Sequence, residues 1–147
     1  MVSAFINRLT FLGLILSLPC YSQDAEVMAY CENSLGKKFG KGLCHEFVDA
    51  VTEEFIGRKI NYYGERFKRV MRPKAGDVIV FNHAKIKIGN RIYKVNHASI
   101  FKEKKGDVIY CYEQNVDGSP VIIGSFNIKD TQMKRVYFIR WRKIKNK

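Results

Sequence analysis

Four residues of this sequence could together attack a carbonyl carbon: Cys44, His97, Glu113 and Asn115. The thiolate is the nucleophilic form of cysteine. It needs a base beside it, and the base needs a third polar group to hold its ring in a productive orientation. Cys44 follows the glycine-punctuated run Gly40-Lys41-Gly42-Leu43 and opens a stretch in which Phe47, Val48, Val51 and Phe55 recur at helical spacing. Gly57 stands where that helix should stop. The spacing therefore predicts a cysteine in the first helical turn, where unpaired backbone N–H groups and the positive end of the macrodipole stabilise an anion. His97 interrupts the run Val95-Asn96-His97-Ala98-Ser99-Ile100-Phe101. Glu113 and Asn115 close the run that begins at Val108, two positions apart, so on a continuous strand both project from one face. Taken singly, such a cysteine or histidine more often packs than reacts. Nucleophile, base and orienting acceptor together form a more specific set.

Two other histidines compete for the role of base. His45 is adjacent to Cys44 but is turned about 100° away on a helix, so it reaches its neighbour's sulfur poorly. His83 follows the run Asp77 to Phe81 and is expected to be exposed. His97 is the preferred base.

The elements that must position these residues read as two helices followed by strands. Asp24 can cap a helix carrying Val27, Tyr30, Cys31 and Leu35, with Gly36 as its stop. The loop from Lys37 to Gly42 is basic and glycine-rich, without the Gly-Lys-Ser/Thr ending of a phosphate loop. Arg58 to Lys74 is a basic, tyrosine-bearing connection with a short helix expected from Glu65 to Met71. After Pro73 the pattern turns to β. Strands are expected at Asp77–Phe81, in a hairpin over Ile86–Tyr93 that turns at Gly89-Asn90, and at Val95–Phe101. A charged turn follows at Lys102–Asp107, then strands at Val108–Asn115, Val121–Phe126 and Val136–Trp141. Helices first and strands after make the class α+β, with N-terminal helices packed on an antiparallel sheet of about five or six strands.

A chain of 147 residues, 46% of them hydrophobic, supports one domain with a real core. Arg8 is the only charged residue before Asp24, and Leu9–Leu18 is an apolar run too short for a membrane span. Residues 1–23 are therefore expected to be a signal peptide cleaved near Gln23, with the protein secreted or periplasmic and residues 24–147 its single domain. Lipoprotein processing at Cys20 is a minor alternative, because Pro19 fits such a site poorly. Cys31, Cys44 and Cys111 would then remain, an odd number. Pairing Cys31 with Cys111 would leave Cys44 free, and the other two pairings stay open. The formal net charge of +12, from 26 basic and 14 acidic residues, calls for anionic partners: nucleic acid, anionic lipid or anionic wall polymer.

Several segments in this order resemble the CHAP family, the cysteine, histidine-dependent amidohydrolases/peptidases among papain-like cell-wall hydrolases. They are Gly42-Leu43-Cys44-His45-Glu46-Phe47-Val48, Pro73-Lys74-Ala75-Gly76-Asp77-Val78-Ile79-Val80-Phe81, His97-Ala98-Ser99-Ile100 and Glu113-Gln114-Asn115-Val116. The resemblance covers residues 36 to about 141. It implies a papain-like fold and hydrolysis of peptidoglycan amide bonds, either between muramic acid and alanine or within the stem peptide or cross-bridge. It implies Cys44 as nucleophile, His97 as general base and acid, and Glu113 as the residue orienting the imidazole. Asn115 would be an additional polar residue near the oxyanion or the histidine. Where some members carry an acidic calcium loop, Lys37, Lys38 and Lys41 are basic, so no calcium, other metal or cofactor is expected. The basic surface would hold anionic wall polymer, and the protein is expected to be a monomer. Nucleic acid is a less favoured partner, because no carboxylate metal cluster, paired-histidine nuclease motif or aromatic RNA-binding signature is present. A polyanion-binding module without catalysis, a disulfide-stapled binding domain and a cysteine hydrolase of another amide remain the alternatives.

Overall fold

Apolar residues at helical spacing come first in the chain and strand-forming runs after, and the computed structural model, which describes residues 23–60 and 68–141, follows that order. Helix α1 spans Gln23–Asn33 and helix α2 spans Cys44–Ile56. The stripe expected on α2 is buried at Phe47, Val48 and Val51, joined by Thr52 and Ile56. Gly57 ends α2 in the left-handed region (φ 72), and its N–H donates to the Glu53 carbonyl at 2.9 Å. The strands are β1 (Lys68–Arg69), β2 (Val78–Ile88), β3 (Arg91–Lys105), β4 (Val108–Glu113), β5 (Ile122–Asn127) and β6 (Val136–Arg140). They form one antiparallel sheet in the order β1-β6-β2-β3-β4-β5. The class is α+β, as expected.

Several boundaries differ from the sequence reading. Asp77–Phe81, the expected hairpin and Val95–Phe101 are parts of two long strands, 11 and 15 residues, that turn at Gly89-Asn90. A bulge on β2 between Phe81 and Ala84 keeps the pairing going while breaking the alternation that marks a strand in sequence. Lys102–Lys105 is strand rather than turn. Lys102 is held at 2.6 Å from Glu32 on α1 and 2.7 Å from the Tyr112 hydroxyl, which also donates to Glu32. Of the helix expected at Glu65–Met71, Lys68-Arg69 is β1, paired with Arg140 and Ile139. Its first part lies outside the described residues, as do the signal peptide through Ser22 and the alternative site at Cys20.

Alternation along the strands sends side chains to two covered faces. Val78, Val80, Ala98, Ile100 and Tyr112 pack with Val27, Cys31 and the α2 stripe. Ile79, Phe81, Phe101, Ile109 and Cys111 pack on the other side against Val136, Ile128 and Met133. Fully burying one such aliphatic side chain stabilises the fold by about 1.5–3 kcal/mol. Cys31 and Cys111 therefore lie on opposite sides of the sheet, and all three described cysteines are free thiols. The pairing of Cys31 with Cys111 is not made.

The entry into β2 is fixed by Asp77, which is 4% exposed. Its carboxylate accepts the Lys74 N–H at 2.7 Å and a two-pronged contact from Arg140 at 2.8 and 3.1 Å. The indole N–H of Trp141 donates to the Gly76 carbonyl at 3.1 Å, so the last strand locks the turn from both sides. Replacing Asp77 by alanine leaves the Arg140 charge and the Lys74 N–H without their partner. The expected cost is about 2–4 kcal/mol of unfolding free energy, measured by urea titration; a loss under about 0.5 kcal/mol would contradict this account.

Candidate active site

Three chain segments converge at the start of α2. The first is the loop before it. The Glu46 side chain turns back and accepts the Leu43 N–H at 2.8 Å. Leu43 precedes the helix with extended backbone, and its side chain cannot cap, so Glu46 supplies the polar contact there. The N–H groups of Leu43, then of Lys41 and Gly42, hold the Glu46 carboxyl below the usual carboxylate range. The loop wraps so closely that a Cβ on Gly40 (φ 55) would fall 2.4 Å from a Glu46 oxygen. That closeness accounts for glycine at position 40. Cys44 is thereby set at the first position of the helix, as the spacing predicts.

The second segment is β3. His97 pairs with Phe81 across β2, and its ring sits 6.1 Å from the Phe81 ring. It shares strand parity with Ser99 and Phe101, so it leaves the sheet on the face away from the helical core. The third segment is the end of β4. Ile100 pairs with Tyr112, which sets Glu113 diagonal to His97 rather than directly opposite. A glutamate is long enough to close that diagonal: His97 Nε2 and Glu113 Oε2 are 2.8 Å apart, each side chain 12% exposed. With Nε2 committed to Glu113, Nδ1 is the ring nitrogen left for Cys44.

The structure thus brings Cys44, His97 and Glu113 into one chain of contacts. Burial of the Cys44 thiol, the largest single influence, raises its pKa. The hydrogen bond and charge of His97 and the N–H groups of Ala98 and His45 together outweigh burial, and the thiol ends below its ordinary value. For His97, burial pulls downward, but hydrogen bonds with Cys44 and Glu113 and their charges push its pKa up to about 9. Both shifts favour the same state, a thiolate beside an imidazolium. Such a pair is an activated nucleophile with a proton donor already in place.

Asn115 is not part of this chain of contacts. β4 stops at Glu113, and Asn115 adopts a left-handed backbone (φ 70) in the following turn, where its N–H donates to the Ser119 carbonyl at 3.0 Å. The two-apart reasoning fails because the strand ends between the two residues. Asn115 is exposed and lines the rim of a groove of about 610 Å³ that also contains Cys44, His97, Glu113, Tyr93 and Phe126. His45 and His83 are both exposed, and His83 N–H donates to Asn96 at 3.2 Å. Among the described residues, no group of three or more His, Cys, Asp or Glu side chains could hold a metal ion.

Sequence reasoning missed three residues. Glu46 shapes the loop, and Gln114 touches it from the position just after β4. Gly124 on β5 leaves the notch in which Glu113 rests, since a Cβ there would fall 1.5 Å from Glu113 Oε1. Glycine inside a strand marks a close approach, and that signal could have found it.

The sequence matches no protein-family model and no curated protein. A solved structure does match, the crystal structure of PlyC, with a TM-score of 0.58 at 18% identity. The likeness is one of fold. It covers 80% of this chain and 35% of the PlyC chain, so this chain corresponds to about a third of that one.

Gly124→Ala should push the flexible Glu113 carboxylate off His97 while leaving the sheet intact. The His97 titration, followed by NMR of the imidazole, is then expected to fall below about 9. An unchanged titration would mean that Gly124 does not seat Glu113.

Proposed function

We propose that this protein is an exported papain-like cysteine hydrolase of the CHAP type that cleaves amide bonds in peptidoglycan. The observation that carries the reading is the Cys44–His97–Glu113 chain of contacts opening on a groove. The fold likeness to PlyC supports the fold on which that reading rests. In this reading residues 24–147 form the catalytic domain and residues 1–23 the export signal.

The mechanism follows from the ion pair. The Cys44 thiolate attacks the carbonyl carbon of the scissile amide, and the carbonyl oxygen takes the negative charge. The backbone N–H of Cys44, at the helix start, donates to that oxyanion. His97 gives its proton to the amide nitrogen, the C–N bond breaks, and an amine leaves a thioester on Cys44. His97, now neutral, takes a proton from water as the water attacks the thioester. The acid departs, and the thiolate and imidazolium are restored. Glu113 holds the imidazole ring and stabilises its charge throughout. Asn115, at the groove rim, would contact substrate rather than the imidazole.

The anionic wall polymer would meet the β2–β3 arm. No acidic residue lies between Asp77 and Glu103. Register puts Lys85 directly opposite Lys94, with Lys87 and Ile92 the next pair on that face. Like charges directly opposite on a sheet repel. An anionic polymer laid across them would relieve that repulsion.

Cys44→Ser and His97→Ala should each lower hydrolysis of purified peptidoglycan by about a thousandfold or more while the circular dichroism spectrum stays native. Wild-type cleavage by Cys44→Ser would overturn the reading. The pH profile should be bell-shaped. The thiolate appears on the acid side at a pH below the ordinary thiol value, and the imidazolium is lost as pH rises through about 9. Glu113→Gln withdraws a charge that raises His97, so the alkaline limb should move to lower pH; a limb fixed near 9 would count against Glu113. Changing Lys85, Lys87 and Lys94 together to glutamine should weaken pull-down on anionic wall polymer and flatten its salt dependence. Equal retention of the variant and the wild type across a salt series would remove the arm from the account.

A further inference from the structure

We propose that Gln114 is a positioning residue that sets the Cys44 thiol and the Cys44 backbone N–H against the His97 ring. It does so by tying the loop before α2 to the strand end that carries Glu113. The inference rests on the hydrolase reading for its purpose, but its geometry stands apart from any substrate.

Gln114 is fully buried at 0% exposure, which is costly for an amide unless its polar atoms are paired. They are paired to the loop. Oε1 accepts the Phe39 N–H at 2.7 Å. Nε2 donates to the Phe39 carbonyl at 3.2 Å and to the Leu43 carbonyl at 2.8 Å. The second of these bonds has a mechanical consequence. Leu43 C=O and Cys44 N–H belong to one planar trans peptide group, so fixing the direction of the oxygen fixes the direction of the N–H. That N–H is the one assigned above to the oxyanion.

Other contacts among the described residues act on different atoms: the His97 ring and the Ala98 N–H reach the Cys44 sulfur rather than the peptide before it. Glu46 also grips the loop, but it belongs to α2 and so holds the loop to the helix. Backbone bonds between Gly36, Lys37 and Val121 tie the loop's beginning to the far end of the β4–β5 turn. The α2 stripe meets the sheet through apolar packing, which has no directional preference of its own. Among the described residues, Gln114 is a directional tie between the end of β4 and the segment Phe39–Leu43. Its neighbour Glu113 faces the other way, to His97. Two consecutive residues thus fix nucleophile and base to the same few atoms of backbone.

The test uses the whole protein and no substrate. Iodoacetamide labelling of Cys44 is followed against pH by mass spectrometry; Cys31 and Cys111 are buried and should label only after denaturation. Gln114→Met keeps the length and removes every polar contact. Gln114→Glu keeps the shape and sets a carboxylate against two carbonyls. Both should retain the far-UV spectrum, label Cys44 about tenfold more slowly near neutral pH, and half-titrate at higher pH. Where hydrolysis is measurable, kcat should fall with KM within about twofold. A folded Gln114→Met protein with the wild-type labelling profile would overturn the proposal. Should both variants unfold, hydrogen exchange on the wild type decides. The Phe39 amide is expected to exchange as slowly as that of Tyr112, and exchange at the rate of an exposed loop would overturn the clamp. Slow labelling in the variants of a protein that never cleaves peptidoglycan would uphold the clamp and sink the substrate assignment alone.

Discussion

Where β4 ends, two consecutive side chains diverge, and the site depends on both of them. Glu113 leaves toward the imidazole and Gln114 toward the loop ahead of Cys44. The sheet behind them is held by register on both sides, through Tyr112 with Ile100 on β3 and with Ile123 on β5. In the proposed clamp, an error in the position of this strand end would reach His97 and Cys44 together, so their separation would be kept even if the pair moved. A site assembled from a helix tip and a sheet needs such a common reference. Apolar packing between the two layers fixes distance well and rotation poorly.

The second constraint is electrostatic. His97 and Glu113 are largely withdrawn from water and Cys44 is half-buried, and burial by itself would favour the neutral thiol and the neutral imidazole. The thiolate and the imidazolium are each favoured by an oppositely charged, hydrogen-bonded neighbour. Removing one partner leaves the others in a poorly solvated place without compensation. The closeness of Gly124 matters for this reason. It lets the carboxylate sit back under the ring instead of standing out into the groove.

How much of this was legible follows from how local each signal is. The α2 stripe, its glycine stop and the placement of Cys44 depend on spacing within one element, and they read directly. The partnership of His97 with Glu113 was legible as two strands in sequence order with a short connection. Strand lengths were less so. A bulge at Asn82-His83 hid the continuity of β2, and Lys102 resembled a turn residue until Glu32 and Tyr112 supplied its partners. Asn115 was misplaced because a strand's last residue depends on its neighbour's register, which no local pattern records. Gln114 stood between two residues already singled out and was passed over. Its bonds reach back some seventy positions, to Phe39 and Leu43, and only the folded chain brings those together.

The free thiols on either side of the sheet bear on what the fold requires of its surroundings. Nothing in the described fold needs an oxidant to mature or a reductant to stay intact, since Cys31 and Cys111 are walled off from each other by six strands. In an oxidising setting a low-pKa thiol is exposed to a conflict, because conditions that form structural bridges also consume reactive sulfur. Here the two demands fall on different thiols among the described cysteines: Cys31 and Cys111 are buried, and Cys44 is the half-buried one at a helix tip.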